Sequence, residues 1–98
     1  MKTINKISMA KQVILSEAAA LKNVANKLNN NFNLACEAIL NCKGKVITIG
    51  LGKSGHVATK SAATLSSTGT PSVFLHAAEA LHGDIGLIGK LDLVICYS

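Results

Sequence analysis

The sequence predicts an α/β fold: a parallel sheet lying between flanking helices, three layers deep, behind a lead-in of two helices. Three observations predict it. Short apolar, β-branched runs at 45–49, 72–75 and 91–96 are bounded by glycine, proline and polar residues. A helical pattern separates the first two runs, and a glycine-rich turn joins the first run to that helix. The order strand, helix, strand, helix, strand implies right-handed crossovers and parallel pairing.

The elements follow in chain order. Ile14, Ala18, Leu21, Ala25 and Leu28 recur at four-three spacing, with Ile7 ahead of them, as one stripe of a long amphipathic helix. The run Asn29-Asn30-Asn31 breaks it. Phe32, Cys36, Ile39 and Leu40 form the apolar side of a second helix, which ends near Asn41 to Gly44. Gly44 is expected to take a left-handed cap there. Lys45-Val46-Ile47-Thr48-Ile49 reads as a strand covered on both faces. Gly50 to Gly55 is a tight turn. His56 to Ser67 is a helix with Val57, Ala58, Ala62 and Leu65 facing inward, and Gly69 and Pro71 mark its end. Ser72 to Leu75 is the second strand, Ala77 to Leu81 a short helix or turn, and Leu91 to Cys96 the third strand.

Composition narrows the function. The 98 residues are room for one small domain, and 49% of them are apolar with two Phe, one Tyr and no Trp, so aliphatic side chains must build the core. All ten basic residues are lysine, against five acidic ones, for a net charge of +5. Without arginine forks or aromatic platforms, the scattered lysines do not read as a nucleic-acid surface, although they attract anionic metabolites. Cys36, Cys42 and Cys96 form no zinc-ligand pattern and read as small buried apolar residues in a reducing compartment. No stretch reaches the roughly 18 apolar residues of a membrane span, and no clean leader core is present, so a cytoplasmic location is expected.

Three chemistries compete for Gly50-Leu51-Gly52-Lys53-Ser54-Gly55. A Walker-type loop needs glycine five residues before Gly52, and position 47 is Ile. A dinucleotide fingerprint matches in letters, but it asks for an acid at the end of the second strand, where His76 stands. A phosphate or sugar-phosphate site fits best. Glycines open backbone N–H groups to an anion, the following helix adds its N-terminal donors, and Lys53, Ser54 and Thr59 add a charge and two hydroxyls. The bland alternative is a glycine turn that only packs helix on strand.

A second cluster, His76-Ala77-Ala78-Glu79-Ala80-Leu81-His82-Gly83-Asp84, follows the second strand. Loops after neighbouring strands of a parallel sheet share one crevice, so this cluster can join the glycine turn. Glu79 and His82 are three apart, on one face of a helical turn. The alternatives are structural: His82-Gly83 as a helix end and Asp84 as a cap. The two histidines, with no evident third ligand, are a weak metal pattern.

These residues resemble a known family. Gly50-Leu51-Gly52-Lys53-Ser54-Gly55-His56, then residues 62–71 (AATLSSTGTP), then Glu79-Ala80-Leu81-His82-Gly83-Asp84-Ile85-Gly86 look like the D-arabinose-5-phosphate isomerases, which carry a sugar isomerase (SIS) domain. The resemblance covers residues 10 to 98. It implies a SIS-type, flavodoxin/Rossmann-like sheet, with 1–43 as helical lead-in and 44–98 as the first three strands and their connections. It implies the interconversion of D-ribulose 5-phosphate and D-arabinose 5-phosphate, a precursor of the lipopolysaccharide sugar Kdo, in a cytoplasmic homo-oligomer without metal or cofactor. By the match, Lys53 stabilises an anion or enediolate, and His82 opens the ring or transfers a proton. Glu79 and Asp84 orient these groups, while Gly50, Gly52, Ser54, Gly55, His56 and Gly83 shape the substrate site. Ser98 is the first residue of the loop that grips the phosphate in the family.

Two departures qualify the match. Ala77 stands where the family usually has proline. The family sheet has five strands and this sequence supplies three, with the later site residues and the CBS regulatory modules beyond Ser98. The chain is therefore expected to be a truncated product with an open apolar edge strand and little isomerase activity alone. A sugar-phosphate-sensing module and an interaction fragment remain as alternative readings.

Overall fold

The computed structural model describes residues 5–98. They fall into two compact units, one ending at Asn33 and one running from Leu34 to Ser98.

The first unit is built on helix α1, Lys6–Lys27. Asn5 starts it: its side-chain oxygen accepts the Ser8 N–H at 3.1 Å, which satisfies one of the unpaired donors of the first turn. Lys27 in the last turn suits the negative end of the helix dipole. No residue of α1 is buried. Helix α2, Asn30–Leu40, begins inside the asparagine run expected to separate the helices. The Asn29 side chain accepts the Asn31 N–H at 2.9 Å, so the run initiates the helix and does not merely interrupt the chain.

The second unit is organised by three parallel strands: β1 Val46–Gly50, β2 Ser72–His76 and β3 Leu93–Cys96, in the order β2-β1-β3. Helix α3, Lys53–Ser67, crosses from β1 to β2. A four-residue helix α4, Ala77–Ala80, and a 3-10 turn, Asp84–Leu87, lie between β2 and β3. The three strands and their parallel direction are those the sequence predicts. Their limits shift, with β2 running on to His76 and β3 starting only at Leu93.

The core follows from strand alternation. The Thr48 hydroxyl donates to the Ala58 carbonyl of α3 at 2.8 Å, so Thr48 faces α3, and Val46 and Gly50 share that side. Val46 and Thr48 are fully buried. Ile47 points the other way, where it lines a cavity of about 230 Å³ with Val73, Leu75 and Leu87. On α3 the buried residues are Gly55, Ala58 and Ala62, with Leu65 half-buried. Small residues at three-four spacing let the helix lie close to the sheet.

Three expectations are corrected here. Val57 is 55% exposed: it sits one position, about 100°, off the 55-58-62 stripe. Gly44 does not adopt a left-handed conformation. Glycine is required there because a Cβ would come within 2.9 Å of the Leu91 carbonyl and collide with the Asp92 carboxylate. The cysteines are not uniformly buried. Cys36 and Cys42 are half-buried, and Cys96 is exposed because β3 is an outer strand.

That Asp92 carboxylate ties the amino ends of two strands together. Its oxygens accept the N–H groups of Lys45 at 2.8 Å and Gly89 at 2.7 Å, and the Lys45 ammonium lies at 3.1 Å. The Asp92 side chain is only 6% exposed. The Gly89 N–H, then the Lys45 N–H and then the Lys45 ammonium favour the charged form, and together they outweigh the opposing cost of burial. The carboxyl therefore titrates at about 2 against an ordinary 3.8. A lowered folded-state value means that the bonus is complete above the unfolded value and is lost as pH falls through the folded one. Asp92→Asn should therefore be less stable than wild type by a constant margin above about pH 5. That margin should narrow between pH 4 and pH 2, as read by denaturant unfolding at each pH. A margin unchanged down to pH 2 would contradict this account.

Candidate functional site

Parallel strands put all three carboxyl ends on one side of the sheet, and the connections there converge. The order β2-β1-β3 means that the chain leaves β1 toward one neighbour and later returns to the other. The gap between β1 and β3 is thus a topological switch point, where open α/β sheets bind ligands. The turn after β1 opens into it. The Tyr97 N–H donates to the Ile49 carbonyl at 2.8 Å, which extends the β3 pairing past Cys96 and brings Ser98 alongside the start of that turn.

The turn itself is shorter than the sequence suggests. Helix α3 starts at Lys53 and not at His56, so Ser54, Gly55 and His56 belong to its first turn. Gly52 is the cap, at φ 60 and ψ −128, a conformation open in practice only to glycine. Gly50 and Gly55 serve a different need. A Cβ on Gly50 would lie 2.7 Å from the Ser54 carbonyl, and one on Gly55 would lie 3.3 Å from the Gly50 oxygen. The end of β1 and the start of α3 therefore touch backbone to backbone.

This contact delivers free donors. The Gly55 N–H bonds to the Leu51 carbonyl at 3.3 Å, and the His56 N–H to the Gly52 carbonyl at 3.2 Å. The N–H groups of Lys53 and Ser54, one step earlier, lie beyond the reach of the helix's own carbonyls. Among the described residues, the first turn of α3 holds no acid, and a lysine occupies its first position. A cation at the positive end of a helix is locally unfavourable, by about 0.3–1 kcal/mol. An anion in the gap would reverse that conflict. Lys53 and His56 are exposed and Ser54 is half-buried, so the turn is accessible. The Thr59 hydroxyl, expected to be a ligand donor, is committed to the Gly55 carbonyl of its own helix at 2.7 Å.

The second cluster follows β2 on the same end of the sheet. His76 is in register with Gly50, and its Nδ1 accepts the Ala78 N–H at 3.2 Å, which starts α4. Glu79 lies in α4, and its carbonyl accepts the His82 N–H at 3.0 Å. Gly83 turns the chain at φ 112, and Asp84 opens the 3-10 turn. Glu79, His82, Gly83 and Asp84 are all exposed. Among the described residues, no group of three or more His, Cys, Asp or Glu gathers to hold a metal ion, and no helix is long and apolar enough to cross a membrane.

The turn's construction can be tested by adding single methyl groups. Gly50→Ala should push α3 off β1 and destabilise the protein by about 1–3 kcal/mol, as overpacking does. Gly52→Ala should cost about 1–3 kcal/mol through backbone strain, with no clash. Chemical denaturation reads both. A neutral Gly50→Ala would show that the close approach is absent.

Comparison with known proteins places these features. The SIS domain family matches residues 39–98. The chain is 50% identical over 88 residues to the arabinose 5-phosphate isomerase KdsD of Shigella flexneri and of Escherichia coli K12, covering 90% of this chain and 27% of each relative. It is 48% identical over 93 residues to the arabinose 5-phosphate isomerase KpsF of Escherichia coli, 28% of that protein's length. Among solved structures, an E. coli CFT073 protein in complex with arabinose 5-phosphate superposes with a TM-score of 0.85 at 40% identity, over 95% of this chain and 51% of that one. A candidate phosphosugar isomerase involved in capsule formation, from Bacteroides fragilis NCTC 9343, gives 0.88 at 38% identity, over 94% of this chain and 49% of its own. The chain thus spans about a quarter of its curated relatives and half of the solved chains. With more than half of its residues matched, including the glycine turn and the cluster after β2, this chain belongs to the SIS domain family.

Proposed function

We propose that the gap between β1 and β3 binds a pentose 5-phosphate, and that the protein serves an isomerase interconverting D-ribulose 5-phosphate and D-arabinose 5-phosphate. The observation that carries this reading is the 50% identity to arabinose 5-phosphate isomerases over a stretch that includes the candidate site. A match of 88 residues in a chain of 98 must include positions 11 to 88, and so both the glycine turn and Glu79 to Asp84. The relative solved with arabinose 5-phosphate and the unpaired donors at the start of α3 support the same ligand.

The reaction asks little beyond acid–base chemistry. A proton leaves C1 of the ketose, the electrons form an enediolate, and a proton is delivered to C2, while hydrogen moves between the two oxygens. Nothing is oxidised or reduced overall. We assign His82 to ring opening or proton transfer, a role usually worth about 10²–10⁴ in rate. Lys53 we assign to the negative charge, on phosphate or enediolate, where a fixed cation in a partly dry site is most effective. Glu79 and Asp84 orient these groups. Gly50, Gly52, Ser54, Gly55, His56 and Gly83 shape the turn and the gap, with Ser98 facing the turn from β3. A cytoplasmic setting, self-association and a supply of D-arabinose 5-phosphate toward Kdo belong to the same proposal.

Titration of the ¹⁵N-labelled chain with D-arabinose 5-phosphate tests the binding half. The amides of Gly52, Lys53 and Ser54 should shift in a saturable manner, and Lys53→Ala should weaken the response about tenfold, roughly the effect of one charge-assisted contact. In an assay of D-ribulose 5-phosphate conversion by a full-length homologue, the substitution that matches His82→Ala should lower turnover by about 10²-fold or more, while those amides of this chain still respond in its own His82→Ala variant. Amides of the turn that ignore the sugar phosphate, or a matching variant of the homologue with undiminished turnover, would refute the corresponding assignment.

A further inference from the structure

Among the described residues, His76 is the histidine whose side chain the fold fixes from two sides. It ends β2, opposite Gly50 in the parallel register, so strand alternation points it to the α3 face of the sheet, the face that Phe74 also occupies. The Phe74 ring meets the His76 imidazole edge-on, at 90° and 6.2 Å between centroids. Phe74 in turn reaches to 3.7 Å of the place a Cβ on Gly55 would take, so it fills the space under the first turn of α3. The imidazole is half-buried and its Nδ1 accepts the Ala78 N–H at 3.2 Å. A ring nitrogen that accepts carries no proton, so a neutral His76 must hold its hydrogen on Nε2.

We propose that His76 is a positioning residue of the site. Seated against Phe74 under the glycine turn, it caps α4 through Nδ1 and so fixes the segment that carries Glu79 and His82 at the carboxyl end of β2. The proposal rests on the sugar-phosphate reading for its consequence, but not for its geometry. A helix of four residues has too little hydrogen bonding of its own to persist in water. Its first turn therefore depends on the cap. His76 also replaces the acid that a dinucleotide site would place at this strand end. The position is spent on orienting the next segment and not on gripping a ribose.

Two substitutions separate the two ring nitrogens. Asparagine puts an acceptor where Nδ1 stands, and glutamine puts its polar end near Nε2. In the full ¹⁵N-labelled chain at neutral pH, the wild-type His76 ring should show a protonated Nε2 and a bare Nδ1. His76→Asn should keep the slow deuterium exchange of the Ala78 amide and the D-arabinose 5-phosphate response at Glu79 to Asp84. His76→Gln should speed Ala78 exchange about tenfold, the scale of one lost cap, and lose the response at Glu79 to Asp84 while keeping it at Gly52 to Ser54. A proton found on Nδ1, or Asn and Gln variants that behave alike, would overturn the proposal. If the wild-type chain shows no sugar-phosphate response anywhere, the proposed function fails instead. The tautomer and the Ala78 exchange of the two variants then decide the role of His76 on their own.

Discussion

The close contact between the end of β1 and the start of α3 governs the whole carboxyl end of the sheet. Because Gly50 and Gly55 meet backbone to backbone, α3 can begin only two residues after the strand stops. That short link sets the first N–H groups of α3, those of Lys53 and Ser54, at the carboxyl end of β1. It also sets the depth at which Phe74 packs under Gly55, and with it the seat of His76. A side chain at either glycine would lengthen the link and displace everything that depends on it.

The unit is divided in its physics. At the amino ends of the strands, Asp92 gathers three donors, and Gly44 lets Leu91 approach. Polar groups there are satisfied within the protein, and the arrangement is one of stability. At the carboxyl ends, donors are left free, a lysine sits on the positive end of a helix dipole, and the connecting residues are exposed. Such local conflicts cost stability, and in proteins they collect at functional sites.

Much of this is legible in the residues. Short apolar runs mark all three strands, and the β-branched run of β1 marks the central one, because a strand covered on both faces has little choice but to be apolar. The G-x-G-x-x-G spacing marks the turn, because each glycine answers a steric demand. What escapes is set by tertiary contact. Nothing local distinguishes Val57 from Ala58 as the inward residue; the glycine contact fixes the helix rotation that buries Ala58. Gly44 looks like a helix cap in the sequence, yet its partner is Leu91, far along the chain. Asp92 reads as one more residue of the third strand until its donors are seen. Within the candidate site, Lys53, Ser54 and the cluster after β2 are singled out by the sequence, whereas the hydrogen bond from the Ala78 N–H to His76 does not emerge there. Its signal is present as a hydrogen-bonding residue directly before Ala-Ala-Glu, the pattern of a helix start.

The Asp92 clip joins partners 47 residues apart, at Lys45 and Asp92. Closing that span costs about 0.5 kcal/mol more chain entropy than the 26-residue separation at which β1 meets β2. The outer strand β3 is therefore the strand whose place depends on the longest-range contacts of the sheet. Since β3 carries Tyr97 and Ser98 up to the glycine turn, the two walls of the gap differ in how they are held. One is a strand and helix adjacent in sequence, and the other is held by its pairing with β1 and by a carboxylate at the far end of the sheet.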